Sequence, residues 1–366
     1  MIKFKVETKS KSYPIYFGNG IVKSTGSLIK KNLPAVKKIY IVSDLKLPKI
    51  FLKKLTKSLK GYDFKVYKLS ANERIKSLKV ASRIIEQLLR YNFNRSDCLI
   101  ALGGGIIGDL SAFVSNLTKR GLKFINIPTT LLAQVDASIG GKTAVNSNQG
   151  KNLIGTFYQP DFVISDVEFL KSLPQREIVS GYGEILKHSL ILDKKFFFWL
   201  SKNGKEILFK KKINILESAI IKSCKIKAKI VKKDEKEKDL RMILNFGHTF
   251  AHGFEAAKKF SNELNHGEAV LLGMLIASDL SNKEKLLSDK ELLQIKKHYK
   301  SLGLFTSIKK IFRKKNEINK IISFMKKDKK NTDKKISLIL LNKIGKTKKV
   351  LLSDQKIKKT LDSYYN

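Results

Sequence analysis

SDCLIALGGGIIGDL, residues 96–110, decides the fold class. Its first seven residues, SDCLIAL, hold the apolar run CLIAL at 98–102, of the length of a buried strand. That run leads directly into Gly103, Gly104 and Gly105, and a second apolar segment follows. Glycines after a strand let the backbone approach a ligand closely, and the first turn of a following helix has N–H groups free for a pyrophosphate. By itself the stretch predicts a strand, a tight turn and a helix.

The same alternation extends outward on both sides. Residues 37–43 (KKIYIVS) form a β-branched and aromatic run that stops at Asp44, and 64–69 is a second strand candidate. Residues 80–91 carry apolar side chains at helical spacing, while 124–127 and 162–165 read as further buried strands. Strands separated by helices of this length imply a parallel sheet in an α/β domain. Residues 1–10 alternate apolar and charged side chains, a strand pattern without the apolar centre of a signal peptide. After Pro174 the period changes. Residues 178–192, 213–231, 249–258, 268–282 and 291–302 show helical periodicity, and a strand signal returns only at 335–341. The expected organisation is an α/β domain over 1–174 and a mainly helical domain over 175–366, with the boundary near 170–178. The charged run KKDEKEK at 232–238 reads as a surface loop, and the lysine-rich tail from Asn342 as partly mobile.

Composition narrows the function. The 366 residues are 42% hydrophobic, enough for a large core in two domains. Two distant cysteines, Cys98 and Cys224, fit a reducing cytoplasm better than a disulfide framework. No apolar run reaches the length of a membrane span. The net charge of +42 raises the possibility of a nucleic-acid partner, but eight of the basic residues are arginine and 66 are lysine. Nucleic-acid sites lean on the planar arginine fork, and these lysines are spread evenly. The reading is a lysine-coated surface with no nucleic-acid and no membrane partner, whose field attracts an anionic small molecule.

Three further segments carry chemistry. IPTTLLAQVDASIGGKTAVNSNQGKN, residues 127–152, gathers hydroxyls, Asp136, Lys142, Asn146, Lys151 and Asn152 into one polar run inside an apolar domain. Lys142, after a double glycine, suits an anionic group. In the helical half stand Glu184, His188, His248, His252 and His266, which include four of the chain's five histidines. Glu184 and His188 share a helical face, as do His248 and His252. One carboxylate and two imidazoles make a zinc site with a position left open for substrate, and spacing alone does not say which three bind. Lys227, Arg241 and Asn245 precede this histidine face, and Arg241 can grip a carboxylate or phosphate with two prongs.

Taken together the segments resemble the 3-dehydroquinate synthase family. The likeness rests on GGGIIGDL at 103–110, IPTTLLAQVDASIGGKTAVN at 127–146 and GKNLIGTFYQP at 150–160. GEILKH at 183–188, LNFGHTFAHGFE at 244–255 and NHGEAV at 265–270 complete it. It implies a Rossmann-like NAD-binding α/β domain followed by a helical metal- and substrate-binding domain, in a cytoplasmic homodimer of the shikimate pathway. It implies Glu184, His248 and His266 as ligands of one divalent metal, Zn²⁺ or Co²⁺. For NAD⁺ the matching positions are Asp44, Glu73, Lys76, Gly104, Gly105, Asp109, Thr129, Thr130, Asp136, Lys142, Lys151 and Ser172. For a seven-carbon acidic sugar phosphate they are Arg120, Lys142, Asn152, Lys187, Lys227, Arg241, Asn245, His252 and Lys329 or Lys330. His252, Lys142, Lys187, Arg241, Asn245 and Glu237 are the implied catalytic residues, Glu237 as a proton acceptor. Two positions depart from the family pattern: Ser172 replaces a threonine, and Asn72 stands where a glycine is common before Glu73. The implied reaction is transient oxidation, phosphate elimination, re-reduction and intramolecular aldol closure. The nearest rivals are a related sugar-phosphate cyclase and a polyol dehydrogenase.

Overall fold

The computed structural model describes residues 1–261, 263–309, 311–312, 317–326 and 335–365. They form two compact units, Met1–Ile178 with Lys211–Lys236, and Val179–Lys210 with Glu237–Asn366.

The first unit is built on strands β1 (Ile2–Glu7), β2 (Ser12–Gly18), β3 (Lys38–Asp44), β4 (Asp63–Leu69), β5 (Cys98–Gly103), β6 (Lys123–Pro128), β7 (Lys142–Ser147), β8 (Gly150–Phe157) and β9 (Phe162–Asp166). Seven of them join in one sheet of order β1-β2-β9-β6-β5-β3-β4. Only the β1–β2 hairpin is antiparallel; the other pairs are parallel. A sheet covered on both faces needs apolar residues at every position. Accordingly Ile39, Ile41, Ile100, Leu102, Ile125 and Ile127 pack into a core on one face, and Tyr40, Val42, Leu99, Ala101 and Phe124 into a core on the other. The chain leaves β3 toward β4 on one side and returns to place β5 on the other. That reversal puts a crevice at the carboxyl ends of β3 and β5, where ligands of open α/β sheets bind. β7 and β8 form a separate two-stranded hairpin from the polar run, with the Thr143 and Thr156 hydroxyls 2.9 Å apart across it.

The long helix Ile213–Lys233 belongs to the first unit, so the chain crosses between units more often than a single boundary allows. It packs on β1, β2 and the turns at Ala133–Ala137 and Val167–Ser172. Helical periodicity shows that a segment is a helix, not which sheet receives it. The charged run after it is not wholly a surface loop. Glu235 is 6% exposed, with its carboxylate accepting from Ser10 N at 3.0 Å, from the Ser10 hydroxyl and from Gln159 Nε2 at 2.8 Å.

The second unit is helical around His266–Lys283, whose residues from Gly267 to Ser281 are all buried. The tail expected to be mobile is ordered. Strands β10 (Lys335–Lys343) and β11 (Lys346–Ser353) pair antiparallel, and the helix Asp354–Tyr365 follows. Leu352, Ile357 and Leu361 are buried while the lysines among them face outward, a pattern that lysine content alone hides. Among the described residues no helix is long and apolar enough to cross a membrane.

Candidate active site

In the first unit the expected cofactor residues collect at the carboxyl ends of three adjacent strands. Asp44 ends β3, Gly104 and Gly105 follow β5, and Thr129 and Thr130 follow β6. The register pairs Ser43 with Leu102 and Gly103 with Pro128, and Thr129 N donates to Gly103 O at 2.9 Å. Gly104 is the N-cap of the helix Gly105–Leu117, so its first-turn N–H groups point out of the crevice floor. Asp44 Oδ1 also accepts from Lys46 N at 3.0 Å and Ala71 N at 3.2 Å, which fixes the mouth of the β3 and β4 loops.

Around this crevice run three ionic contacts. Lys76 Nζ reaches Asp109 Oδ2 at 2.6 Å and Asn152 Oδ1 at 2.5 Å. Burial pushes the Asp109 carboxyl up, against the pull of Lys76. Lys151 Nζ lies 3.2 Å from Glu73, whose carboxylate also accepts from Asn146 at 2.8 Å. Lys227 Nζ lies 2.6 Å from Asp136 Oδ1. Residues far apart in sequence are therefore brought into contact. Lys142 opens β7 and is exposed. Ser172 donates its hydroxyl to Phe169 O at 3.1 Å. Arg120 ends the turn before β6, at the opposite end of that strand from Thr129 and Thr130.

In the second unit a carboxylate and three imidazoles converge. Helix Gln175–Leu192 carries Glu184 and Lys187, helix His248–Ala257 carries His248 and His252, and His266 is the first residue of His266–Lys283. The convergence depends on close backbone approach. A Cβ on Gly267 would fall 2.3 Å from Ser180, so only glycine lets these two helices touch beside His266. Gly247, in the left-handed region at φ +80°, turns the chain into the His248 helix against Met274. Asn265 and Glu268 form a reciprocal capping box that sets where His266 leaves the backbone.

Ligand atoms of Glu184, His248 and His266 all lie within 4.8 Å of one another. His248 Nε2 is 3.5 Å from Glu184 Oε1, and its Nδ1 lies 3.3 Å from Phe246 O. The His248 and His266 ring centroids are 5.3 Å apart, and His252 stacks 6.3 Å from His266. Burial, with Lys187 beside it, holds the His248 imidazole well below its usual range and so in the neutral, ligating form. Glu184 is fully buried and ion-paired with buried Lys187, yet neither of its carboxylate oxygens has a hydrogen-bond partner among the described residues. A buried carboxylate left short of donors beside two imidazoles fits a divalent cation. His188, one turn beyond Glu184, is fully buried.

Of the other expected residues, Arg241 is 2% exposed, and Asn245 Nδ2 donates to Glu237 Oε1 at 3.0 Å. Lys329 and Lys330 lie outside the described residues. Two acidic residues escaped the sequence reading. Glu255 Oε2 lies 3.2 Å from His266 Nδ1, and Glu235 is the buried anchor described above. The helical spacing of Glu255 from His248 and His252 was the available signal; Glu235 gave none inside its charged run.

The family model described as 3-dehydroquinate synthase N-terminal matches residues 66–180, and the one described as 3-dehydroquinate synthase C-terminal matches residues 181–331. The chain belongs to the 3-dehydroquinate synthase family. The 3-dehydroquinate synthase of Pelagibacter ubique is 53% identical over 345 residues, covering 94% of this chain and 93% of that protein. The one of Thermodesulfovibrio yellowstonii is 41% identical, covering 99% and 100%. Among solved structures, 2-deoxy-scyllo-inosose synthase complexed with carbaglucose-6-phosphate, NAD+ and Co2+ superposes with a TM-score of 0.88 at 23% identity, covering 99% of this chain and all of that one. The 2-epi-5-epi-valiolone synthase of Streptomyces hygroscopicus with NAD+ and Zn2+ bound gives 0.84 at 24% identity, covering 98% of both chains. At such identities the likeness to these structures is one of fold.

Proposed function

We propose that this member of the 3-dehydroquinate synthase family converts 3-deoxy-D-arabino-heptulosonate 7-phosphate to 3-dehydroquinate and phosphate, a lyase reaction of the shikimate pathway. The observation that carries this reading is the 53% identity to the Pelagibacter ubique enzyme across nearly the whole of both chains. NAD⁺ and one divalent metal are its cofactors, in keeping with the NAD⁺ and Co²⁺ or Zn²⁺ bound in the fold's neighbours. When bound, the nucleotide supplies a hydride acceptor that is restored within each turnover, and the metal supplies a Lewis acid that lowers the pKa of a coordinated hydroxyl.

The chain's own residues do the rest. Gly104 and Gly105 would offer backbone N–H groups to a pyrophosphate, and the Asp44 carboxylate would accept from a ribose. Glu73, Lys76, Asp109, Thr129, Thr130, Asp136, Lys142, Lys151 and Ser172 complete the proposed nucleotide set. Glu184, His248 and His266 would hold the metal. Lys142, Asn152, Arg241 and His252 would grip the substrate's phosphate and carboxylate, with Arg120, Lys187, Lys227, Asn245 and Lys329 as further contacts. So many cations stabilise the negative charge that develops as phosphate leaves. Glu237, which accepts from Asn245, is the proposed proton acceptor. A cytoplasmic homodimer is the proposed state, tested by sedimentation. The test of function is phosphate release from the heptulosonate phosphate, which must require NAD⁺, stop on chelation and leave no NADH behind.

A further inference from the structure

His266 stands at the first position of its helix with 35% of its side chain exposed. The capping box fixes its backbone but not its ring. Such a ring can turn about its side-chain torsions, and a neutral imidazole can carry its proton on either nitrogen. Either freedom would point the wrong atom at Glu184 and His248.

Glu255 removes both freedoms. Glu255 is buried, at 9% exposed, and its carboxylate lies 3.2 Å from His266 Nδ1. An ionised carboxylate only accepts, so Nδ1 must carry the proton and donate it, and the lone pair is left on Nε2 across the ring. The main chain does the same for His248, whose Nδ1 lies 3.3 Å from Phe246 O while its Nε2 faces Glu184 Oε1 at 3.5 Å. Glu255 follows His248 by seven residues, two helical turns, and so stands on the same face of His248–Ala257. One helix therefore carries both a ligand and the support of a ligand donated by another helix.

We infer that Glu255 is a positioning residue for the metal: it orients the His266 ring and fixes its tautomer, so that Nε2 is presented to the ion. This rests on the proposed ligand set of Glu184, His248 and His266. Metal-binding histidines whose second nitrogen is held by a carboxylate owe about tenfold to a hundredfold in metal affinity to that partner.

The test strips the full-length chain of metal and measures Zn²⁺ affinity by competition with a chromophoric chelator. It uses the parent, Glu255→Met, Glu255→Gln and His266→Ala, and records the melting temperature of each metal-free form. Glu255→Met, which fills the space and accepts nothing, is expected to bind Zn²⁺ about tenfold to a hundredfold more weakly. Glu255→Gln still offers an amide oxygen to Nδ1 and is expected to lose less, with a metal-free melting temperature close to the parent's. Parental affinity in Glu255→Met, or in Glu255→Gln where Glu255→Met does not fold, overturns the inference and leaves the ligand set standing. A metal-free Glu255→Gln that melts far below the parent also overturns it, because it marks Glu255 as a residue of the fold. Parental affinity in His266→Ala overturns the ligand set itself.

Discussion

His248 Nε2 lies 3.5 Å from Glu184 Oε1, joining two helices through residues that are more than sixty positions apart in sequence. The buried Glu184 carboxylate is ion-paired with Lys187, neither of its oxygens has a hydrogen-bond partner among the described residues, and it sits beside an imidazole held neutral, a donor set that a divalent cation would complete. Metal analysis of His266→Ala is therefore expected to show occupancy far below the one ion per chain of the parent. Full occupancy in that variant would mean the triad is wrongly chosen.

Lys142→Met should lose at least about tenfold in kcat/KM, since a charge-assisted contact contributes about 1.5–3 kcal/mol and more where charge develops during reaction. Lys142 is exposed at the start of β7, so methionine can replace its stem without disturbing a core. Metal affinity should stay near parental. Near-normal turnover would identify Lys142 as one more surface lysine.

His298 tests the packing of the helical unit. It is 3% exposed, its Nε2 lies 2.8 Å from the Tyr182 hydroxyl, and burial pushes its pKa down to about 4. The unfolded chain therefore binds the proton more readily, so this contribution is fully present above about pH 6.5 and is lost as pH falls toward 4. The shift corresponds to at most about 3–4 kcal/mol. Melting curves of His298→Gln should depend less on pH across that window than those of the parent. Equal slopes would show that His298 does not titrate out of a buried site.

Glu235→Ala should destabilise the chain by about 1–3 kcal/mol, because Ser10 N and Gln159 Nε2 would lose a buried acceptor. Burial opposes the charged form, but the Ser10 and Gln159 hydrogen bonds outweigh it and hold the carboxyl below its usual range. This stabilisation is present above the ordinary carboxylate pKa and fades as pH falls through the lowered one. Denaturant midpoints at neutral pH decide the matter, and an unchanged midpoint contradicts the anchor.

The sequence made the sheet legible because its strands are buried on both faces, and runs such as CLIAL at 98–102 need no alternation to be recognised. The crevice was legible too, since Asp44, Gly104 and Thr129 each end or follow a strand. Ion pairs such as Lys76 with Asp109 were not, because one lysine among 66 carries no mark of burial. The helix Ile213–Lys233 shows the same limit at larger scale: its period is plain, and its docking surface is set by tertiary contact. His252 has the better spacing from His248, yet it is His266 whose ligand atom lies within 4.8 Å of those of both Glu184 and His248, through a glycine contact that no local pattern encodes.

The most direct measurement follows phosphate release and NADH absorbance together, using the purified chain with the heptulosonate phosphate, with and without NAD⁺ and a chelator. The account predicts steady phosphate release that needs both NAD⁺ and metal, while NADH does not accumulate. NADH growing in step with turnover, or phosphate release indifferent to both cofactors, would contradict it.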